Sequence, residues 1–403
     1  MLETTTAAPQ GVGAASIRRF YLYQLVTRTE FTGGIWILYL TSRGFSLSQI
    51  GLAESAFHLA PVLLELPSGS FADLIGRRWS LALGALLVAI SAALIFVAPS
   101  FWVVLVAMFL NGTSYSFRSG ADQAYLYDAL GEQRSSYTGI LGKLIGAGYI
   151  VGGATLWLGA ALSDISYAWP YGLVVGAGLA GVWLAAGLVE PPRRAIGERR
   201  PSAVEHIRDV VHELRQRPRV AAMLAFSGGF WATGTVAYLY LQAAFSDRGL
   251  SNSTIGLVIG GALLVSAAGA AVAGRAERVG TFRRQVVILG LLSGLGVAGL
   301  AVGSIWLATA AYLASNVVIG LLEPLMYAWF NRQMPSEQRA TLLSAESWLF
   351  SLTMIVIFPL SGWLAERAGW NVLFLLCGGV MVLLTLIVAV AARAATGRSS
   401  DVT

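Results

Sequence analysis

Residues 43–52 read RGFSLSQIGL, and residues 248–257 read RGLSNSTIGL. The second stretch follows the first at an offset of 205 positions (248 − 43), and the two differ at three of their ten residues. Asn111 and Asn316 stand at the same offset (316 − 111), each within a later apolar run. Matches at one shared offset indicate an internal duplication. We therefore expect the chain to be built from two copies of one unit.

The apolar runs between the matched residues are long enough to cross a lipid bilayer. Hydrophobic residues make up 56% of the 403 residues and charged residues only 12%, and the mean hydropathy is +0.68. A soluble chain could not cover its surface with so few polar groups. Because a spanning helix needs roughly 20 mostly apolar residues, we predict an all-α membrane protein with twelve transmembrane helices in two pseudo-symmetric six-helix bundles. The predicted spans are 18–42, 48–71, 79–98, 101–129, 138–163, 169–189, 219–245, 252–274, 284–303, 306–331, 340–365 and 370–393.

The basic residues set the predicted orientation. If both termini are cytoplasmic, only Arg43, Arg248 and Arg367 of the 27 Lys and Arg residues fall outside, while Arg28 and Arg118 lie within spans. This asymmetry follows the positive-inside rule and predicts a multi-pass protein of the cell inner membrane. The basic residues lie at the ends of apolar runs and in one central stretch, not on a soluble face. The net charge of +6 therefore does not indicate a nucleic-acid partner.

One polar stretch separates the two predicted bundles. It contains Pro191, Pro192 and Pro201. Its second part has apolar residues at helical intervals among arginines, which is typical of an amphipathic helix on a membrane surface. The predicted organisation is a cytoplasmic tail at 1–17, an N-terminal bundle at 18–189, a linker with an amphipathic helix at 190–218, a C-terminal bundle at 219–394 and a cytoplasmic tail at 395–403.

Between the second and third predicted spans, residues 69–78 read GSFADLIGRR. This stretch resembles the G-x-x-x-D-x-x-G-R-[RK] loop of the major facilitator superfamily and lies at the matching position between helices. The resemblance implies two bundles that rock around a central cavity. It also implies a conformational latch in which Arg77 pairs with the acid that ends the fourth span, although Arg78 fits equally a simple membrane-surface anchor. The latch residues are Gly69, Asp73, Gly76, Arg77, Arg78 and Asp128.

Two positions depart from the pattern of the drug:proton antiporters in this superfamily. Those antiporters usually carry an arginine early in the fourth helix, where this chain has Met108. Their fifth helix usually has a Gly-Pro-x-x-Gly-Gly sequence, and residues 148–153 read GYIVGG, with tyrosine in place of proline. Similarity to drug exporters therefore rests on the superfamily as a whole and not on these two motifs.

Polar and charged side chains recur within the predicted spans, where a charge costs about 2.5–3.5 kcal/mol at mid-bilayer. Arg118 and Glu323 are equivalent under the offset of 205, and the resemblance implies that both of their helices line the central cavity. We expect the two side chains to confront each other there. The full set expected at the substrate and proton cavity is Glu30 in the first span, Asn111, Tyr115, Arg118 and Asp122 in the fourth, and Asn316, Glu323 and Tyr327 in the tenth.

Our hypothesis is that the proton is carried by one of three carboxylates, Glu30, Asp122 or Glu323. Burial raises the pKa of a carboxyl group and a nearby arginine lowers it, so the balance between the two lets substrate binding trigger proton release. An alternative is that Arg118 and Asp122 form a structural ion pair one helical turn apart. In the second span, Glu54 and Glu65 are more typical of packing or interface groups. His58 between them is able to titrate near neutral pH, although a single histidine is more often only hydrogen-bonded.

Enzyme motifs are not found. The G-x-G-x-x-G of residues 294–299 lies inside an apolar span without a preceding strand, and the sequence contains no Walker loop or zinc pattern. We predict no cofactor, with the proton gradient as the energy source. The sequence thus favours a monomeric secondary transporter that exports small amphipathic organic molecules. Its alternatives are an importer of a small metabolite anion held by Arg118, and a non-transporting membrane receptor with the same fold.

Overall fold

The computed structural model describes residues 12–131, 136–191, 203–333 and 339–397. Within these ranges the chain forms helices and no strand. The ends of both predicted tails and the middle of the linker lie outside the described residues. The helices are α1 (Ala14–Thr27), α2 (Trp36–Ser42), α3 (Leu47–Leu74), α4 (Arg77–Val97), α5 (Phe101–Arg118), α6 (Ala121–Ala129), α7 (Tyr137–Ser163), α8 (Ala168–Ala186), α9 (Ala203–Gln216), α10 (Pro218–Asp247), α11 (Asn252–Ala276), α12 (Phe282–Ala298), α13 (Ile305–Gln333) and α14 (Arg339–Gly397).

Nine helices in the described ranges are long and apolar enough to cross a membrane. The predicted first span is split between α1 and α2, and the fourth between α5 and α6. The predicted last two spans are joined in α14, which bends at Gly369 with a φ of 82°. The all-helical membrane architecture is thus confirmed, while the count of twelve spans stays a prediction.

The duplicated stretch adopts the same conformation in both halves. Gly44 and Gly249 take φ values of 87° and 86°, in the left-handed region that favours glycine. Ser46 and Ser251 then cap α3 and α11 through their side chains. Each helix therefore begins at its equivalent residue, and the turn and the cap give a physical reason why these residues recur in both halves.

The arginine of each copy has the same partners. Arg43 donates to the carbonyl oxygen of Ala98 at 3.1 Å, just past the end of α4. Arg248 donates to Leu300 at 2.9 Å, just past α12. A cation at a helix C-terminus is favoured by the partial negative charge of the unpaired carbonyls. These arginines therefore hold the ends of the first and third predicted spans of each half together.

The first predicted span is wrong as a continuous helix, because residues 28–35 leave the helical path. Gly33 and Gly34 lower helix propensity there, and the segment packs closely over α7. A Cβ built on Gly159 of α7 would meet the carbonyl oxygen of Phe31 at 1.8 Å. Main-chain contact of this kind is possible only at glycine. The break places Glu30 between α1 and α2 instead of in the middle of a helix.

The fourth predicted span is also interrupted. α5 ends at Arg118, and Gly120 takes a φ of 76° before α6 begins at Ala121. Asp122 and Asp128 therefore lie on a different helix from Asn111 and Arg118. The single polar stripe predicted for this span does not exist as one continuous helical face.

The two halves contact each other mainly through α3 with α14 and α7 with α11. A Cβ on Gly51 of α3 would lie 2.4 Å from the Cα of Pro359 in α14, and one on Gly256 of α11 would lie 2.3 Å from the Cβ of Ala160 in α7. These contacts lie near the loops at 43–46, 164–167 and 248–251, and we call this end of the bundle the closed end. The predicted topology places it outside the cell.

The linker helix α9 packs against α10 and α14. Both neighbours belong to the second half, and Val210 of α9 is buried. In the described residues α9 is thus attached to the second bundle.

Candidate functional site

Two cavities meet inside the bundle. The first has a volume of about 450 Å³ and extends from α1 to α6, α7 and α10. The second, of about 360 Å³, extends among α3, α4, α5 and α8. Both are lined by the same five residues at the point where they meet: Thr27, Glu30, Tyr115, Arg118 and Tyr238.

Arg118 is held between two helix ends. Its guanidinium donates to the carbonyl oxygen of Thr27, the last residue of α1, at 3.3 Å. Its aliphatic stem lies against Gly84 of α4, where a Cβ would come within 2.5 Å of the arginine Cγ. Arg118 is itself the last residue of α5. Two helix C-termini therefore contribute partial negative charge around one half-buried cation, which lowers the cost of placing it inside the membrane.

Glu30 lies in the break of the first span and points into the cavity. Its main-chain N–H donates to the Thr155 hydroxyl at 2.9 Å. Its carboxylate lies over Gly33, where a Cβ would be 3.0 Å from Oε2. Arg118 interacts with it electrostatically. The opposite charges of Glu30 and Arg118 thus share the junction of the two cavities without a direct salt bridge between these described residues.

Asp122 is reached by a different set of side chains. Gln24 donates to its carboxylate at 3.3 Å, and Arg28 donates to the Gln24 oxygen at 3.2 Å. No salt bridge joins Asp122 to Arg118 among the described residues, so the alternative of an ion pair one turn apart is not seen. The glycine break after α5 is the physical reason, because it removes the helical spacing that would bring the two side chains together.

The tenth-span residues are not among those that line the two cavities, although Glu323 lies near Tyr149 of the first cavity. Asn316 donates to the carbonyl of Tyr312 on its own helix at 2.9 Å. Glu323 interacts electrostatically with the hydroxyls of Tyr149 and Tyr327. Asn316, Glu323 and Tyr327 line neither cavity.

The predicted confrontation of Arg118 with Glu323 is not seen in this structure. Arg118 points to Thr27 instead, and no salt bridge joins it to Glu323 within the described ranges. Asn111 and Tyr115 do line the second cavity. The cavities are therefore built mostly from the first half, with Tyr238, Leu239 and Leu263 added by the second.

The predicted latch residues lie at the opposite end from the closed end. Arg77 forms a salt bridge with Asp128 and also donates to the carbonyl of Ala124 at 2.7 Å. Both helices involved, α4 and α6, belong to the first half. The pair thus ties neighbouring helices of one bundle together. Gly69 and Asp73 lie in the last two turns of α3.

Glu190 is a residue of this region that the sequence did not single out. Its two carboxylate oxygens accept hydrogen bonds from the main-chain N–H groups of Arg77 and Arg78, at 2.7 and 3.1 Å. These N–H groups begin α4, where an anion is favoured. Gly76 takes a φ of 129°, and a Cβ there would lie 2.9 Å from the Glu190 carboxylate. The glycine of the loop motif is thus required both by its turn and by the closeness of this acid.

The second half has a salt bridge of opposite polarity at the corresponding loop. Glu277, after α11, pairs with Arg332 near the end of α13. In the first half the loop carries the base and the helix end carries the acid. Both halves therefore have a salt bridge between neighbouring helices at this loop, but the positions of the acid and the base are reversed.

A duplicated bundle of apolar helices around a polar cavity of mixed charge defines a membrane transporter. Among the described residues, no group of His, Cys, Asp and Glu is arranged to hold a metal ion. Residues 25–246 and 235–401 each match the Major Facilitator Superfamily, and the chain belongs to this family.

Individual relatives are more distant. The chain is 26% identical over 235 residues to the uncharacterized MFS-type transporter YxaM of Bacillus subtilis (strain 168), a match covering 56% of this chain and 57% of that protein. It is 21% identical over 159 residues to the quinolone resistance protein NorA of Staphylococcus aureus (strain MRSA252), covering 39% and 40%. These matches span little more than half the length of the curated relatives, or less. The crystal structure of nucleoside transporter NupG shares the fold, with a TM-score of 0.71, 16% identity and coverage of 93% and 96%.

Proposed function

We propose that this protein is a proton-coupled exporter of small amphipathic organic molecules that works by alternating access. The observation that carries the proposal is the pair of joined cavities inside an apolar bundle, with Glu30 and Arg118 at their junction. Similarity to a quinolone resistance protein supports export as the direction. The proposed orientation has both termini in the cytoplasm of the cell, and the working unit is a monomer.

The cavity lining supports an amphipathic substrate better than a small anion. Tyr115, Tyr149 and Tyr238 offer aromatic faces, while Leu156 and Leu263 add aliphatic surface. Acidic and basic side chains line the same space in nearly balanced numbers. Arg118 already has a carbonyl partner and an acidic neighbour, so it offers little unpaired positive charge to an anion.

Alternating access is supported by the unequal ends of the bundle. Close main-chain approaches join the halves at the closed end, as at Gly51 with Pro359. The lining of the first cavity runs the other way, to exposed residues such as Gln123 and Tyr149. Such a form would admit a substrate from the cytoplasm. Export then requires the closed end to open and the opposite end to close.

The test uses purified protein in proteoliposomes. A fluoroquinolone and a fluorescent lipophilic cation are the probes, and a pH gradient is imposed in either direction. We expect at least one probe to move against its own concentration gradient when a pH gradient is imposed. Protons should move down their gradient in the opposite direction. Flux of a small carboxylate in the same direction as protons, with no movement of either probe, would instead establish the importer. No gradient-dependent flux of any of these solutes would contradict transport.

A further inference from the structure

A carboxylate and an imidazole lie side by side within α3, outside the set of residues predicted for the substrate and proton cavity. Glu54 Oε1 and His58 Nε2 are 3.5 Å apart, one helical turn from each other. Both are buried, with 8% and 5% of their surface exposed. Burying two ionisable side chains inside a membrane bundle is unfavourable unless they serve each other or a function.

The duplication provides an internal comparison for this pair. The equivalent residues of the second half, 205 positions later, are Ile259 and Leu263. Ile259 is fully buried in α11 and Leu263 lines the first cavity. The helix thus folds and packs in the same architecture with apolar side chains at both positions. The polar pair is therefore not needed for the fold.

The pair connects the cavity with the interface between halves. Glu54 lines the second cavity, which joins the first at Glu30 and Arg118. His58 contacts the second half of the chain: its ring packs edge-on against Phe350 of α14, with the ring centroids 5.4 Å apart. One residue from Glu54, the Ser55 hydroxyl donates to the carbonyl of Ile355 in α14 at 2.8 Å. A change of charge at the pair would thus be felt by the helix contact that joins the two halves.

Other titratable groups reach the pair from the helices and the cavity around it. α10 brings Tyr238 and Tyr240, whose hydroxyls interact electrostatically with Glu54. The cavity shared with Glu54 also contains Glu30, Tyr115, Arg118 and Tyr171, whereas α4 contributes Ser91 and apolar residues. α14 presents the ring of Phe350 to His58. Within this set of titratable side chains, Glu54 and His58 are an acid and a base in direct contact, at 3.5 Å.

We propose that Glu54 and His58 together form the binding site of the transported proton. A proton from the cavity binds to the pair and converts a carboxylate beside a neutral imidazole, of net charge −1, into a pair of net charge zero. Release of the proton to the cavity restores the negative charge. Since a neutral pair is more easily enclosed than a negative one, the loaded pair favours occlusion by α14 and the unloaded pair favours contact with cavity water.

This proposal rests on the proposed function, and the experiment separates the two. Wild-type protein, Glu54→Gln and His58→Leu are reconstituted in proteoliposomes with a fluoroquinolone as the probe. Two fluxes are measured: uphill transport driven by a pH gradient, and exchange of labelled for unlabelled probe with no gradient. Asp247→Asn is the control, since Asp247 is an exposed carboxylate that bonds to Trp370 and lies at the closed end.

We expect Glu54→Gln to reduce gradient-driven transport at least tenfold while exchange stays within about twofold of wild type, since exchange needs no net proton movement. His58→Leu should flatten the dependence of transport on pH, and Asp247→Asn should leave both fluxes unchanged. Retained exchange also shows that the variant is folded. Full gradient-driven transport in Glu54→Gln would overturn the proposal. A wild-type protein that exchanges the probe but ignores the pH gradient would instead contradict proton coupling itself.

Discussion

Asp164 of the first half and Glu366 of the second each bind the beginning of a helix in the other half. Asp164 accepts from the main-chain N–H groups of Asn252 and Ser253, both at 3.0 Å. Glu366 accepts from the N–H of Ser48 at 3.0 Å. Ser48 and Ser253 are equivalent under the offset of 205, so the same helix end is bound twice. The acids are 202 positions apart (366 − 164), which means that equivalent bonds are made from slightly different places.

These two contacts should hold the closed end shut. A carboxylate at a helix N-terminus is stabilised by the partial positive charge there, typically by about 0.3–1 kcal/mol. We expect the double variant Asp164→Asn with Glu366→Gln to populate a form that is open at this end. Spin labels at Ile165→Cys and Ser304→Cys, in a Cys377→Ala background, report the separation of the halves. The variant should show a new population at longer distance.

Asp247→Asn serves again as the control, because its partner Trp370 belongs to the same half. An unchanged distance distribution in the double variant would show that apolar packing alone keeps this end closed.

Gly51 should be required for closure because it brings two main chains together. A Cβ at this position would lie 2.4 Å from the Cα of Pro359, and backbone cannot move aside as a flexible side chain can. We expect Gly51→Val to reduce transport at least tenfold and to separate the same two spin labels. Gly261→Val in α11 is the matched control, since a Cβ on Gly261 meets nothing within 4 Å. Equal losses in both variants would point to helix propensity as the cause.

Arg118 should be sensitive to the shape of its side chain as well as to its charge. Its guanidinium bonds to Thr27 while its stem fills the space above Gly84. We expect Arg118→Met to abolish probe binding, and Arg118→Lys to bind about tenfold more weakly, because an ammonium cannot span the same contacts. Ligand-dependent thermal shifts measure both affinities. Arg367→Gln, on an exposed arginine that lies over Trp363, should bind as wild type does, and normal binding by Arg118→Lys would contradict the role of geometry.

The two loop salt bridges should differ in their contribution to stability. The Asp128 side chain is 14% exposed, whereas Glu277 is 39% exposed. Solvent screens the second pair, and an exposed pair contributes about 0–1 kcal/mol, while a bond to a partly buried charge contributes roughly 1.5–3 kcal/mol. Asp128→Asn should therefore lower the melting temperature by several degrees and Glu277→Gln by little. Thermal unfolding in detergent checks this, and equal shifts would refute the argument.

The duplicated architecture could be predicted because it depends on averaged properties. Long apolar runs and a repeated turn are each spread over many residues, so local exceptions do not hide them. The proximity of Arg77 and Asp128 could also be predicted, since the resemblance of the loop at 69–78 to the superfamily motif implies it. By contrast, the break at residues 28–35 was not predicted: Gly33 and Gly34 lower helix propensity there, but the close packing of Phe31 over Gly159 is a tertiary contact that local sequence does not reveal.

Which residues line the cavity could not be predicted, because it depends on the directions of side chains, and the spacing of residues along the sequence does not determine these. Equal positions in the two halves placed Arg118 opposite Glu323, but Arg118 finds a nearer partner at the end of α1. Taken singly, Glu54 is typical of a packing or interface group, and His58 of a hydrogen-bonded histidine that is able to titrate near neutral pH. Their spacing of four residues, together with Ile259 and Leu263 at the equivalent places, was the available signal.

The exchange of a buried acid and base for isoleucine and leucine between the two copies has an evolutionary consequence. After a gene duplicates and fuses, the turn at 43–46 exists a second time at 248–251. A movement of one half against the other needs both turns to keep the same conformation. A site on the axis is shared by both copies, so one copy is free to acquire ionisable residues while the other has apolar residues at the equivalent positions. A single six-helix unit that carried the turn of residues 43–46 would then be expected to associate with a second copy of itself.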